Sequence, residues 1–149
     1  KNLTMRLPKE IINGFLIFAG IALFFLLMEL LNLSNLFYLR LLNVLFILYG
    51  VNRTLKMNLA EGKVGFLPNA ISAIITSFTA VVISIVALLM YSYAKGGDNY
   101  VKSLSSAFMF GGEPSVPAYC LSLFFEGTAS CIIVTLLLML YWNNKYAAD

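Results

Sequence analysis

Three ionisable residues stand inside otherwise apolar stretches of this 149-residue chain: Glu29, Arg40 and Glu126. A charge in hydrocarbon is costly unless it is paired, so each is a candidate for ion movement, ligand contact or a structural ion pair. Glu29 precedes the Asn-Leu-Ser-Asn turn at 32–35 by about one turn, and Arg40 follows it by one to two turns. In a helical hairpin both then lie about 6 to 9 Å below the helix ends at 1.5 Å per residue. Opposite charges so placed are expected to pair across the hairpin, as a structural ion pair near the outer interface. Glu126 sits deeper, about ten residues or 15 Å into its helix. Asn43 and Ser84 should reach comparable depth on neighbouring helices, so Glu126, Asn43 and Ser84 form an expected polar cluster. If Glu29 and Arg40 cancel, Glu126 has no positive partner, and burial favours its protonated form unless Arg40 reaches down to it. Two readings stay open: hydrogen-bonded glue between helices worth ~1 kcal/mol, and a carboxylate that carries protons or cations.

Other chemistry finds little material. Histidine is absent, which removes histidine general bases, histidine-ligated zinc and histidine-ligated haem. Cys120 and Cys131 lie eleven positions apart on one helix, about 16 Å along its axis, too far to bridge; they read as small packing residues. The Glu-Gly-Lys-Val-Gly stretch at 61–65 lacks the spacing of a phosphate-binding loop. Lys95, Asp98 and Glu113 read as solvated loop charges rather than the polar cluster a lipid enzyme needs. No cofactor and no metal are expected, and a net charge of +3 is no footprint for a nucleic acid.

The elements that must position the three charges follow from composition. Hydrophobic residues make up 60% of the chain and charged residues 11%, against about 25% charged in soluble domains. With a mean hydropathy of +0.87, polar surface is too scarce to cover a water-soluble globule. Four continuous apolar segments, at about 8–33, 36–54, 68–93 and 115–142, meet the roughly 20 residues a spanning helix requires. Alternation of period two is missing, which disfavours a membrane β-barrel. The expected fold is an all-α integral membrane four-helix bundle, a single domain over 1–149. Pro8 and Pro68 suit helix starts; Gly96-Gly97 and Gly111-Gly112 mark stops on either side of the third loop.

Basic residues give the orientation. Lys1, Arg6, Lys9, Arg53, Lys56, Lys63 and Lys145 fall on one side, against Lys95 and Lys102 on the other, which places both termini in the cytoplasm. Tyr91, Tyr93, Tyr141 and Trp142 sit at helix ends, where amphipathic rings favour the headgroup layer. The first apolar run is too long for a cleavable signal peptide, and residues are expected to precede Lys1. In the third loop, Tyr100, Val101, Leu104, Ala107 and Phe108 line one face and Asp98, Asn99, Lys102, Ser103, Ser105 and Ser106 the other. This predicts a short amphipathic interfacial helix at about 98–110, either a passive cover for the bundle end, a lid or a docking face.

Packing signals are clearest in the third span. Ala70, Ala73, Ser77, Ala80, Ser84 and Ala87 recur every three or four residues, a small-residue seam for close helix approach at a crossing of about +20°. In the fourth span Ser122, Glu126 and Ser130 form a polar stripe beside Gly127 and Cys131, and residues 132–142 are almost wholly apolar.

Residues 45–94 join an Ile-Leu-Tyr-Gly-Val-Asn-Arg-Thr-Leu-Lys helix end to Glu-Gly-Lys-Val-Gly-Phe-Leu-Pro-Asn-Ala-Ile-Ser and a long small-residue helix. This stretch resembles a family of small four-span bacterial inner-membrane proteins whose function is unknown, with Arg53, Gly62, Gly65 and Phe66 at the matching positions. The third loop and fourth span depart from that pattern. The resemblance implies a multi-pass location in the inner membrane and brings no activity. Three functions are open. The first is a non-catalytic subunit or assembly component of a larger inner-membrane complex, with lipids and other membrane subunits as partners. The second is a small proton or cation channel or carrier using Glu126, which requires a polar stripe through the whole membrane. The third, a membrane-embedded lipid enzyme, has the weakest residue set.

Overall fold

The computed structural model describes residues 7–104 and 113–146. In chain order the elements are α1 (Lys9–Leu30), α2 (Phe37–Arg40), α3 (Asn43–Ala60), α4 (Phe66–Lys95), α5 (Asp98–Leu104) and α6 (Val116–Tyr141), followed by a 3-10 turn at Asn143–Lys145. Among the described residues the fold is all-α. Three of these helices, Lys9–Leu30, Phe66–Ala94 and Val116–Tyr141, are long and apolar enough to cross a membrane.

The second expected span differs. In place of one helix over 36–54, the chain makes the four-residue α2, breaks, and then runs α3 on to Ala60. At the break Leu42 N bonds Leu39 O at 3.1 Å, Val44 N bonds Leu41 O at 3.2 Å and Leu45 N bonds Leu42 O at 3.0 Å. These i→i−3 bonds tighten the chain and re-aim the residues that precede α3. At its other end α3 passes the expected stop at Thr54, because Thr54 and Asn58 find partners on other helices instead of needing water.

The helix ends are set by local chemistry. Ser115 caps α6, its Oγ accepting from Ala118 N at 3.4 Å. Beyond α4, Gly96 and Gly97 take φ of 125° and 65°, the left-handed region that glycine enters without a Cβ clash. The third-loop helix is described as α5, Asp98–Leu104; the expected continuation through Ala107 and Phe108, and Gly111-Gly112, lie outside the described residues.

Contacts give the helix directions. α1 is antiparallel to α3, with Lys9 Nζ 2.5 Å from Glu61 Oε2 and Asn13 bonded to Thr54. It runs alongside α4 in the same direction: Ser72 donates to Glu10 at 3.0 Å near the start of both, and Tyr91 donates to Glu29 near their ends. α4 is antiparallel to α6, with the Phe78 and Phe124 rings 5.9 Å apart. One end of the bundle, here the near end, therefore holds the start of α1, the α3–α4 turn and the end of α6. The far end holds the α1–α2 turn and α5.

The near half is knit together by buried hydrogen bonds. Asn13 Nδ2 donates to Thr54 Oγ1 at 2.9 Å, Thr54 and Thr76 hydroxyls lie 3.0 Å apart, and Thr76 donates to Ser72 O at 2.8 Å. Asn58 donates to Asn69 Oδ1 at 3.0 Å, and Asn69 donates to the Lys63 and Gly65 carbonyls at 2.7 Å each. Asn13, Thr54, Asn58, Asn69 and Thr76 are buried, so these bonds link α1, α3 and α4 where no solvent competes. Around them Ile17, Val51, Leu55, Val134 and Met139 form the main apolar core. Gly14 permits close α1–α4 approach: a Cβ there would sit 3.0 Å from the Thr76 carbonyl oxygen.

The small-residue seam is split by this plan. Ala73, Ser77 and Ala80 are fully buried in helix contacts. Ser84 and Ala87, one and two turns on, line a cavity instead.

Candidate functional site

The far half of the bundle is hollow. A cavity of about 430 Å³ lies between α1, the α2–α3 break, α4 and α6. Its walls are mainly apolar, with Phe25, Ile47, Val81, Leu88 and Leu123 among them, and Arg40, Asn43, Ser84, Tyr119, Glu126 and Ser130 supply polar groups. The break after α2 creates this arrangement, since a continuous second helix would carry Arg40 on a different rotational phase.

Arg40 pairs with Glu126, not with Glu29. Its Nη2 lies 3.4 Å from Glu126 Oε2, and Nη1 donates to the Tyr119 hydroxyl at 3.0 Å. The guanidinium also sits 6.0 Å from the centre of the Tyr119 ring, within cation–π range. The expected hairpin pair of Glu29 and Arg40 is therefore corrected: depth matched, but the break turns Arg40 towards α6. The same reach supplies the positive partner that Glu126 was expected to lack. The pair is partly sheltered, with 21% of the Arg40 side chain and 22% of the Glu126 side chain exposed.

Glu29 has its own set of partners. Tyr91 donates to one carboxylate oxygen, Tyr100 donates to the other at 2.9 Å, and Lys95 Nζ stands 3.9 Å away. The Tyr100 hydroxyl, on α5, is pushed up from its ordinary pKa by burial first and by its bond to Glu29 second. Glu29 thus ties α1, α4 and α5 together at the far end. α5 is further fixed by Asp98, whose Oδ1 accepts from Val116 N at 2.7 Å, and by buried Val101 and Leu104, which pack with Val116, Tyr119 and Cys120. The described part of the amphipathic face expected in the third loop, Tyr100, Val101 and Leu104, packs in this way against the far end.

The expected cluster of Glu126, Asn43 and Ser84 does share one place, since all three line the cavity. Asn43 Oδ1 and Ser84 Oγ are buried, with no hydrogen-bond partner. Of the fourth-span stripe, Glu126 and Ser130 line the cavity and Ser122 does not; Ser130 donates to the Glu126 carbonyl oxygen at 3.0 Å. Cys120 and Cys131 are buried free thiols. Reading the sequence missed Tyr91, Tyr100 and Tyr119 as charge partners: Tyr91 was assigned to the headgroup layer, Tyr100 to the apolar face of the third-loop helix, and Tyr119 was given no role. It also missed Asn13, Asn58 and Asn69, although an amide within or beside an apolar run is itself a signal for interhelical bonding.

Chemically, the site offers an anion and a cation already compensating each other, two spare polar atoms and a broad apolar wall. Among the described residues no group of three or more His, Cys, Asp or Glu side chains converges as a metal site would require. The chain matches no protein-family model, no curated protein and no solved structure.

Proposed function

We propose that this chain is a non-catalytic integral-membrane component of a larger inner-membrane complex, crossing the bilayer four times with both termini in the cytoplasm. The observation that carries this reading is the hydrogen-bonded near half. Its buried amides and hydroxyls bond across three helices, which favours a rigid scaffold over a conduit that must open from side to side. α3, with α2 ahead of it, serves as the second crossing; of its polar residues, Asn52 pairs with Trp142 Nε1 at 2.9 Å, Thr54 with Asn13 and Thr76, and Asn58 with Asn69. The near end gathers Lys9, Arg53, Lys56, Lys63 and Lys145, against Lys95 and Lys102 at the far end, which supports cytoplasmic termini. Outward faces such as Ile132, Ile133, Leu136, Leu137 and Leu140 on α6 are more than half exposed and are available to lipid or to a neighbouring subunit.

Extraction in a mild detergent followed by size analysis and mass spectrometry tests the proposal. A particle with fixed additional subunits is the expected result; a lone monomer from native membranes overturns it. The second reading, a small proton or cation carrier, is favoured by the Glu126 carboxylate at the cavity. For that reading Glu126→Gln must abolish ion-driven acidification in vesicles containing the chain, and unchanged flux removes it.

A further inference from the structure

We propose that the far-half cavity is a binding site for an uncharged amphiphile with a hydroxyl head and one long apolar chain. Its size, about 430 Å³, falls within the range of small-molecule pockets. The lining decides the class of ligand. Arg40 and Glu126 already neutralise one another at 3.4 Å, so a charged head would enter a site of low polarity with no uncompensated partner. Two neutral atoms of the lining lack partners: Asn43 Oδ1, an acceptor, and Ser84 Oγ, which both donates and accepts. A hydroxyl head has the matching chemistry, since it can donate to Asn43 Oδ1 and accept from Ser84 Oγ. Filling them also relieves the cost of two buried polar atoms without partners. The remaining wall, represented by Phe25, Ile47, Leu88 and Leu123, suits an alkyl or isoprenoid chain. The bound molecule would displace no existing side-chain bond of the site, and the inference holds whether or not the chain belongs to a complex.

The test uses the full chain in phosphatidylcholine nanodiscs and a diazirine-bearing hexadecanol as the probe. Irradiation is expected to give saturable labelling that maps to α1, α4 and α6 around Phe25, Leu88 and Leu123. Unlabelled hexadecanol should compete, whereas palmitate, hexadecylamine and hexadecane should compete at least about tenfold less well. Ser84→Val and Asn43→Leu should each weaken binding about threefold to tenfold, the value of one neutral hydrogen bond. Because the competition series is run on the unmodified chain, it stands even if a variant fails to fold. Equal competition by all four chains overturns the inference, since the cavity would then be a cleft filled by any lipid tail. Stronger competition by palmitate or hexadecylamine overturns it too, because the pair would then be opening to a charged ligand.

Discussion

Separating Arg40 from Glu126 tests the main electrostatic feature of the bundle. At 3.4 Å, two unit charges attract by about 5 kcal/mol at an effective dielectric near 20, and by about 1 kcal/mol in bulk water. The pair is about one-fifth exposed on each side, and desolvation offsets part of the attraction, so a coupling of about 2 kcal/mol is expected. Arg40→Met leaves Glu126 without a cation and should cost about 2 kcal/mol. Glu126→Gln is milder, about 1 kcal/mol, because Arg40 keeps its bond to Tyr119. The double variant should also lie about 1 kcal/mol below the parent, well short of the sum of the single effects. Reversible unfolding in mixed micelles, followed by the fluorescence of the single tryptophan, Trp142, measures all four proteins. That reporter sits at the near end, bonded to Asn52, so its signal tracks global unfolding and not the altered site. Additivity within about 0.5 kcal/mol would show that the two charges are independently solvated and that the pair contributes nothing.

Gly14→Ala places a Cβ 3.0 Å from the Thr76 carbonyl oxygen; backbone cannot rotate away, so the same unfolding assay should show a loss of about 1 to 3 kcal/mol. Asp98→Asn weakens the acceptor for Val116 N and should raise hydrogen exchange at the start of α6 and through α5, with α1 unchanged; uniform exchange would refute a local tie. At the near end, Lys9 and then Lys63 hold the exposed Glu61 carboxyl below its ordinary pKa. A lowered acid stabilises the fold above its unfolded value and loses that contribution as pH falls through the folded value. A small stability decline below about pH 4 should therefore shrink in Glu61→Gln, as read from thermal midpoints across that range.

Length and apolarity alone located α1, α4 and α6, because a long run of hydrocarbon side chains in lipid has no alternative to helix. The second span was misjudged for two separate reasons. Leu41 and Leu42 carry no composition signal for a break, which arises from i→i−3 bonding. Thr54 and Asn58 looked like the end of the apolar run but are buried by partners on α4. The same limit explains the mispaired charges. Sequence spacing fixes depth through the rise per residue, so Glu126, Asn43 and Ser84 were placed at one level and do line one cavity. It does not fix azimuth, so it could not tell that Glu29 faces Tyr91 and Tyr100 while Arg40 faces Tyr119 and Glu126. The seam shows both sides of this: its period was legible, whereas its division into contact and cavity wall depended on where α2 ends.

The cavity of the far half gives that layer a compressibility of its own. Hydrostatic pressure favours states with less void, so squeezing should act first on the layer around Ile85, Leu88 and Leu123, while the cross-linked layer around Asn13 and Asn69 stays rigid. Mechanical softness is thereby built into the layer that holds the cavity.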